Sequence, residues 1–411
     1  MKPRPTDTNI REEDRIVITG TGAVCSLGNS AREIRDALIG GKSGRSASSG
    51  FEAGGFEAGA RAVNIPDIEA DIHPRLAKSM GKHLSLLIGS AGEAYRHAGL
   101  GTSGIEAGEV GFFAGMGMVD YRVEDLLPAV LKSLSPEGEL DYDKFFAGGY
   151  REIYPLWPLA MLNNVAFCQA AIHLGVRGEN CVFAPHADAG VQAVAEAVHV
   201  LREGKARAVL AAGVGEEISA LSIARAALNG MMNPANSAES AFLGECGAAL
   251  VLEPLPLAVK RGARPIAGIA GFGFAGEKSQ SGNCPTSRAV GTSIECALSA
   301  AGLQPKDIGL VIAGAGGNAE IAACEEAVAE TFAGAVAGCG PTILCTGRVF
   351  GETFAAGPIL NAIIGAGIFE SSLVPPGLGG ADAPAPGRIL VIATSYEGRC
   401  GSLILEKLES P

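Results

Sequence analysis

RIVITGTGAVCSLG, residues 15–28, decides the class of fold. Arg15 to Gly20 is a β-branched run that closes on glycine, the composition of a strand buried on both faces, and Ser30 to Gly40 then carries a helical pattern. The two read as a βα opening. Working outward, residues 78–99 have helical spacing that stops at Ala98-Gly99, and EVGFFAG at 109–115 reads as a central strand. A helix is expected over 188–203 with Gly204 at its end, followed by strands over Ala206–Gly213, Cys246–Glu253 and Pro265–Gly273. Helices over 290–302, 320–332 and 354–368 then alternate with strands over Ile308–Ala313, Arg388–Ala393 and Gly401–Lys407. Two successive sets of strands and helices predict a duplicated α/β unit. The expected organisation is a polar N-terminal tail over 1–14, one half over 15–253 and a second over 265–411, with the changeover near 254–264 and no low-complexity linker there.

Bulk composition fits a packed α/β protein. Hydrophobic residues make up 47% and charged residues 18% of the 411, which excludes a disordered chain. The 58 glycines are about twice average usage, as glycine-lined strand ends and tight turns require. A net charge of -12 argues against nucleic acid or an anionic membrane as partner, since both need a basic face. An acidic carrier would be repelled too, unless it met a local basic patch or docked on a more basic subunit. The ten cysteines show no CxxC pair and no zinc spacing, so no metal or cofactor is expected, and thiols such as Cys168 and Cys345 read as reduced and buried. Residues 1–15 lack an apolar signal region and no continuous apolar run approaches ~18 residues, so a cytoplasmic location is expected.

Two glycine-rich stretches imitate nucleotide loops. Gly20-Thr-Gly22-Ala-Val-Cys25 has cysteine where a dinucleotide loop needs its third glycine, and Gly271 to Lys278-Ser279 misses a Walker loop by one residue. Both read as tight turns at strand ends.

Several ordered stretches resemble the β-ketoacyl-carrier-protein synthases of the thiolase superfamily: residues 15–28, 38–44, 110–117, 163–178, 190–213 and 242–253, then Pro375-Pro376 and 402–405. The resemblance spans nearly the whole chain and implies a thiolase-like, duplicated α-β-α-β-α five-layer fold. Active members hold a cysteine thiolate at a helix tip, where the dipole lowers its pKa, and two histidines that support decarboxylation. Matching 190–213 to their nucleophile helix without gaps puts Ala187 at the cysteine. Gly314 and Glu352 fall on the two histidines and Gly347 on a nearby lysine. Independently of any matching, the histidines are 73, 83, 97, 173, 186 and 199, so the second half has none.

Losing the nucleophile and both histidines resembles the chain-length factors, the ketosynthase-beta subunits of type II polyketide synthases. That resemblance implies a pseudoenzyme with no catalytic residue of its own, paired in a heterodimer with an active ketosynthase. The partner would do most of the docking of the acyl carrier protein, and the growing acyl or polyketide chain would enter a tunnel at the interface. Met116, Met118 and Tyr121, with Phe112 and Trp157, are the candidates for lining that tunnel or interface; ordinary core packing is the competing role. Thr346-Gly347-Arg348 fits the same subgroup, whereas Ala187 departs from the glutamine that these factors often carry. Two alternatives stay open: an acyltransferase or decarboxylase using Cys168, Cys181 or His186, and a self-associating scaffold. Glu216 and Glu217 read as solvated or interface charges, and Asp188 as a capping or hydrogen-bonding residue.

Overall fold

The opening strand does not stop at Gly20. The computed structural model describes residues 14–42, 51–53, 56–58, 60–61, 81–231, 242–279, 284–333, 340–379 and 386–409, and in it β1 (Ile16–Cys25) runs on through Gly20 and Gly22, buried throughout. Residues 1–13 of the expected tail, 43–44 of the matched stretches and 78–80 of the expected helix lie outside the described residues. Nine further strands join β1 in one sheet: β2 (Val110–Met116), β3 (Asn180–Phe183), β4 (Ala208–Val214), β5 (Cys246–Pro254), β6 (Ala267–Gly276), β7 (Leu310–Ala313), β8 (Thr342–Cys345), β9 (Arg388–Thr394) and β10 (Arg399–Glu406). Their order is β8-β7-β9-β10-β6-β1-β5-β4-β2-β3.

That order is a repeat written twice. Outward from the junction, the first half places its strands as first, fifth, fourth, second and third in chain order, and the second half does the same. The halves meet through three backbone pairs, Ile16↔Ile269, Val17↔Gly268 and Ile18↔Ala267. Beyond them the register shifts, at Ile18/Gly20 in β1 and Ile269/Gly271 in β6, and each strand continues beside its own half. Such irregularities bend strands and strengthen twist, so the two half-sheets part and leave room between them.

Helices fill that room and cover both outer faces. They include α1 (Ala31–Ile39), α2 (Lys82–His97), α3 (Val123–Lys132), α4 (Asn163–Leu174), α5 (Ala187–Arg202), α6 (Ala220–Leu228), α7 (Ser287–Ala301), α8 (Asn318–Thr331) and α9 (Gly357–Ser371). α5 and α9 pack between the half-sheets and touch strands of both; α2 and α4 cover the first half, α7 and α8 the second. Three apolar clusters follow, one at the centre and one under each outer pair, and the layers read α-β-α-β-α. Residues 354–371 are long and apolar enough to cross a membrane, yet 83% of them are buried inside the molecule, as a core helix requires. The expected burial of cysteines needs correction: Cys168, Cys181 and Cys296 are exposed, although none of the nine described cysteines is in a disulfide.

The nucleotide-loop imitations are strand interiors, not the turns expected. A Cβ at Gly20 would lie 2.4 Å from Ala94 O and one at Gly22 2.1 Å from Ser90 O, both on α2. In the second half, Gly271 and Gly273 bear the same relation to Ala297 O (2.7 Å) and Ser293 O (2.3 Å) of α7. These glycines let a helix backbone lie directly on a strand, at equivalent places in both halves. Gly22→Ala should therefore cost about 1–3 kcal/mol by overpacking, whereas Gly108→Ala, where a Cβ meets nothing within 4 Å, should change stability by less than about 0.5 kcal/mol; urea unfolding of the two variants checks both.

Candidate functional site

Ala187 opens α5, with His186 as an extended N-cap residue that makes no side-chain cap. The helix dipole would favour an anion at this tip, but a methyl group offers neither a nucleophile nor a hydrogen bond. Its neighbours point elsewhere. His186 is buried, meets the Tyr396 ring edge-on at 4.5 Å and has Nε2 3.2 Å from Glu397 Oε2 without hydrogen-bond geometry. Asp188 accepts from Gln192 Nε2 at 2.8 Å and lies 3.9 Å from Arg399; burial raises its pKa, and Arg399 opposes the rise.

Gly314 follows β7 and has space beside it, since a Cβ there would stand 3.6 Å from both Asn361 Nδ2 and Ile392 O. Gly347 does not. A Cβ on it would lie 2.4 Å from Ala315 O and 2.5 Å from Gly316 Cα, so the turn after β7 rests directly on the segment after β8. Thr346 Oγ1, beside this contact, donates to Asn361 Oδ1 of α9 (2.8 Å) and lies 3.1 Å from Ala313 O at the end of β7. Asn361 Nδ2 is left buried without a partner among the described residues.

Glu352 is buried, and the backbone N–H of Phe354, a residue at φ 48°, donates to its Oε1 at 2.6 Å. Burial drives its pKa well above the usual carboxylate range, and the charges of Glu320 and Glu216 push the same way. Glu320 is also raised by burial, against the backbone N–H groups of Gly316 and Gly317. Tyr396 joins this group, its pKa pushed up to about 12 by burial and then by Glu216. Around Glu352, then, the protein gathers buried acids.

The candidate tunnel residues divide. Met118, Tyr121 and Trp157 line a cleft of about 310 Å³ with His83, Arg122 and Leu221, and Tyr121 meets Trp157 edge-on at 6.3 Å. Phe112, stacked on Phe167 at 4.5 Å, and Met116 are buried in the first outer core and do not line this cleft. His83 is a cleft residue that the sequence did not single out. Burial lowers its pKa to about 4, so it is neutral at pH 7, and its Nε2 has no partner among the described residues. Glu216, expected at the surface, is instead 3% exposed and paired with Arg225. Cys168 and Cys181 lie exposed on α4 and β3, outside the cleft.

A duplicated five-layer sheet, with a helix tip and the turns after two second-half strands converging at its centre, defines a condensing-enzyme architecture of the thiolase type. The model for "Beta-ketoacyl synthase, N-terminal domain" matches residues 13–258, and the chain belongs to that family. It is 26% identical over 407 residues to the tetracenomycin polyketide synthase ketoacyl synthase beta subunit of Streptomyces glaucescens, covering 95% of this chain and 94% of that one. It is 27% identical over 316 residues to 3-oxoacyl-[acyl-carrier-protein] synthase 2 of Coxiella burnetii, covering 72% of each. Among solved structures, the ishigamide ketosynthase/chain length factor superposes with a TM-score of 0.78 at 21% identity, covering 96% of this chain and 99% of the other, a likeness of fold.

A buried acid with a raised folded-state pKa keeps its proton to higher pH than the unfolded chain does, so it removes stability as pH climbs above about 4.5. Glu352→Gln, which retains an acceptor for the Phe354 N–H, should match the parent near pH 5 and grow steadily more stable than it towards pH 8, as read by urea melts across that range.

Proposed function

We propose that this chain is the non-catalytic, chain-length-determining subunit of a ketosynthase heterodimer in a type II polyketide synthase. The observation that carries this is the combination at the site: a methyl at the helix tip, and a Gly347 backbone so close to Ala315 and Gly316 that no side chain fits there. Catalytic groups are missing, and at one position their space is missing as well. Reverting Ala187 to cysteine alone would restore a nucleophile without the proton donors that condensation requires.

The surface supports a partner. β3 is the outermost strand of the first half-sheet, and its Asn180 and Cys181 are exposed. Large apolar side chains are also exposed, including Leu131, Phe146 and Ile172, with Tyr154 and Leu156 in the cleft lining. An open strand edge and exposed apolar side chains are features that a second, similar subunit would cover. The full-length similarity to a ketoacyl synthase beta subunit favours an active ketosynthase in that place. With a net charge of -12 on this chain, an acidic acyl carrier protein would dock mainly on the ketosynthase, while the growing chain would enter the cleft bounded by Met118, Tyr121 and Trp157.

Co-expressed with its ketosynthase, the chain should co-purify as a stoichiometric pair, and alone it should neither take up acyl groups nor extend them. Within the pair, Met118→Trp should shorten the products and Met118→Ala lengthen them, as read by mass spectrometry. A stoichiometric acyl adduct mapped to Cys168, Cys181 or His186 would establish the enzymatic alternative, and self-association with no affinity for a ketosynthase would establish the scaffold.

A further inference from the structure

One guanidinium joins the cleft to the vacated site. Arg225, on α6, donates from Nη1 to Asp120 Oδ1 (2.7 Å), and from Nη2 to Asp120 Oδ2 (3.2 Å) and Glu216 Oε2 (2.6 Å). Asp120 also accepts from the hydroxyl of Ser219, the N-cap of α6, at 2.9 Å. Both acids touch the segment after β2. Asp120 sits in the cleft wall with Met118 and Tyr121, and the Glu216 side chain packs against Gly117, where a Cβ would lie 3.0 Å from Glu216 Cγ. On its other side the charge of Glu216 is felt at Glu352 and Tyr396.

We infer that Arg225 is a positioning residue that holds the Met118–Tyr121 wall of the cleft and so fixes the length a growing chain reaches there; the second part rests on the function proposed above. Residues 117–122 have no regular secondary structure between β2 and α3. Apart from the Arg225 network, Gly117 is tied through its N–H to Val214 O (2.8 Å) and through its carbonyl to Asn163 Nδ2 (3.1 Å). Among the described residues, Asp120 is tied to the body of the protein by Ser219 and Arg225 alone. The side chains of Arg225, Asp120 and Glu216 are 20%, 15% and 3% exposed, so water screens these contacts far less than it screens a surface ion pair. A planar guanidinium grips one carboxylate with two N–H groups while sharing a nitrogen with the second; an ammonium has no such fork.

Amide exchange on the full chain and product analysis of the co-expressed pair test this together. Arg225→Met should speed exchange across 117–122 by about tenfold while 187–202 stays unchanged, and it should spread the products over at least one additional two-carbon length. Arg225→Lys should recover only part of both effects, and Asp120→Asn should reproduce the Met variant more weakly, which gives a second measurement if Arg225→Met folds poorly. Parent-like exchange in Arg225→Met and Asp120→Asn would overturn the clamp. Faster exchange with an unchanged length distribution would overturn its role in length, and full recovery by lysine would reduce it to a charge effect. A parent chain that never binds a ketosynthase would instead overturn the function proposed above, with the exchange measurement still deciding the clamp.

Discussion

The carbonyl of Ala355 is the contact on which the site depends. A Cβ on Gly190 of α5, or on Gly213 of β4, would come within 2.2 Å of this one oxygen. The turn that carries Glu352 and Phe354 in the second half is thus wedged between a helix and a strand of the first. Two glycines make the wedge possible, because any side chain at either would push the turn out. What the duplicated fold achieves through this contact is a centre built from both halves, with the tip of α5 contributed by one and the turns after β7 and β8 by the other.

If the chain is the non-catalytic subunit proposed above, its chemistry has been replaced and not merely deleted. Close packing of Gly347 on Ala315–Gly316 takes up room that a long side chain would need, and Thr346 Oγ1 ties the segment after β8 to Ala313 O at the end of β7 (3.1 Å) and to Asn361 Oδ1 of α9. Glu352 gains a backbone N–H from Phe354. Such contacts stabilise the present arrangement, and each becomes an obstacle to reinstalling the missing groups. Cores are dense enough that even one added methylene is felt, so a site consolidated in this way is not one substitution from activity.

Sequence patterns located the central strands and long helices to within a few residues, because buried β-branched runs and helical spacing are strong local signals. They missed the helices α3, α4 and α6 and the strands β3 and β8. Each of these strands is four residues long at an outer edge and only partly buried, so neither shows an uninterrupted apolar run. β1 and β6 were cut short at glycines, whose purpose lies in helices about 70 and 25 residues further along the chain. Ala187, Gly314, Gly347 and Glu352 were visible only through resemblance to a family, since no local property distinguishes a methyl that replaces a thiol. The misreading of Glu216 has a similar origin: an acid after a strand looks solvated until Arg225 and Asp120, the latter 105 residues before Arg225, are brought beside it.

Charge at the centre argues in the same direction as the missing nucleophile. A malonyl thioester brings a carboxylate, and an active site must offer it cationic or donating groups as it decarboxylates. Here the incoming anion would face Glu352, Glu320 and Glu216, whose pKa values are raised by burial and, for Glu352, by the other two. Arg225, the nearby cation, already serves two acids. Burial already favours the protonated form of these acids; ionising any of them beside the anion would be costly in a weakly screened interior, and in the protonated form they lack the positive charge that imidazolium or lysine would supply. An uncharged, hydrocarbon-rich chain meets no such penalty, and the cleft walled by Met118, Tyr121 and Trp157 offers it apolar surface. On the function proposed above, this centre would offer a malonyl extender no cationic help, while the cleft would suit the grown chain, the discrimination that a length-setting subunit needs.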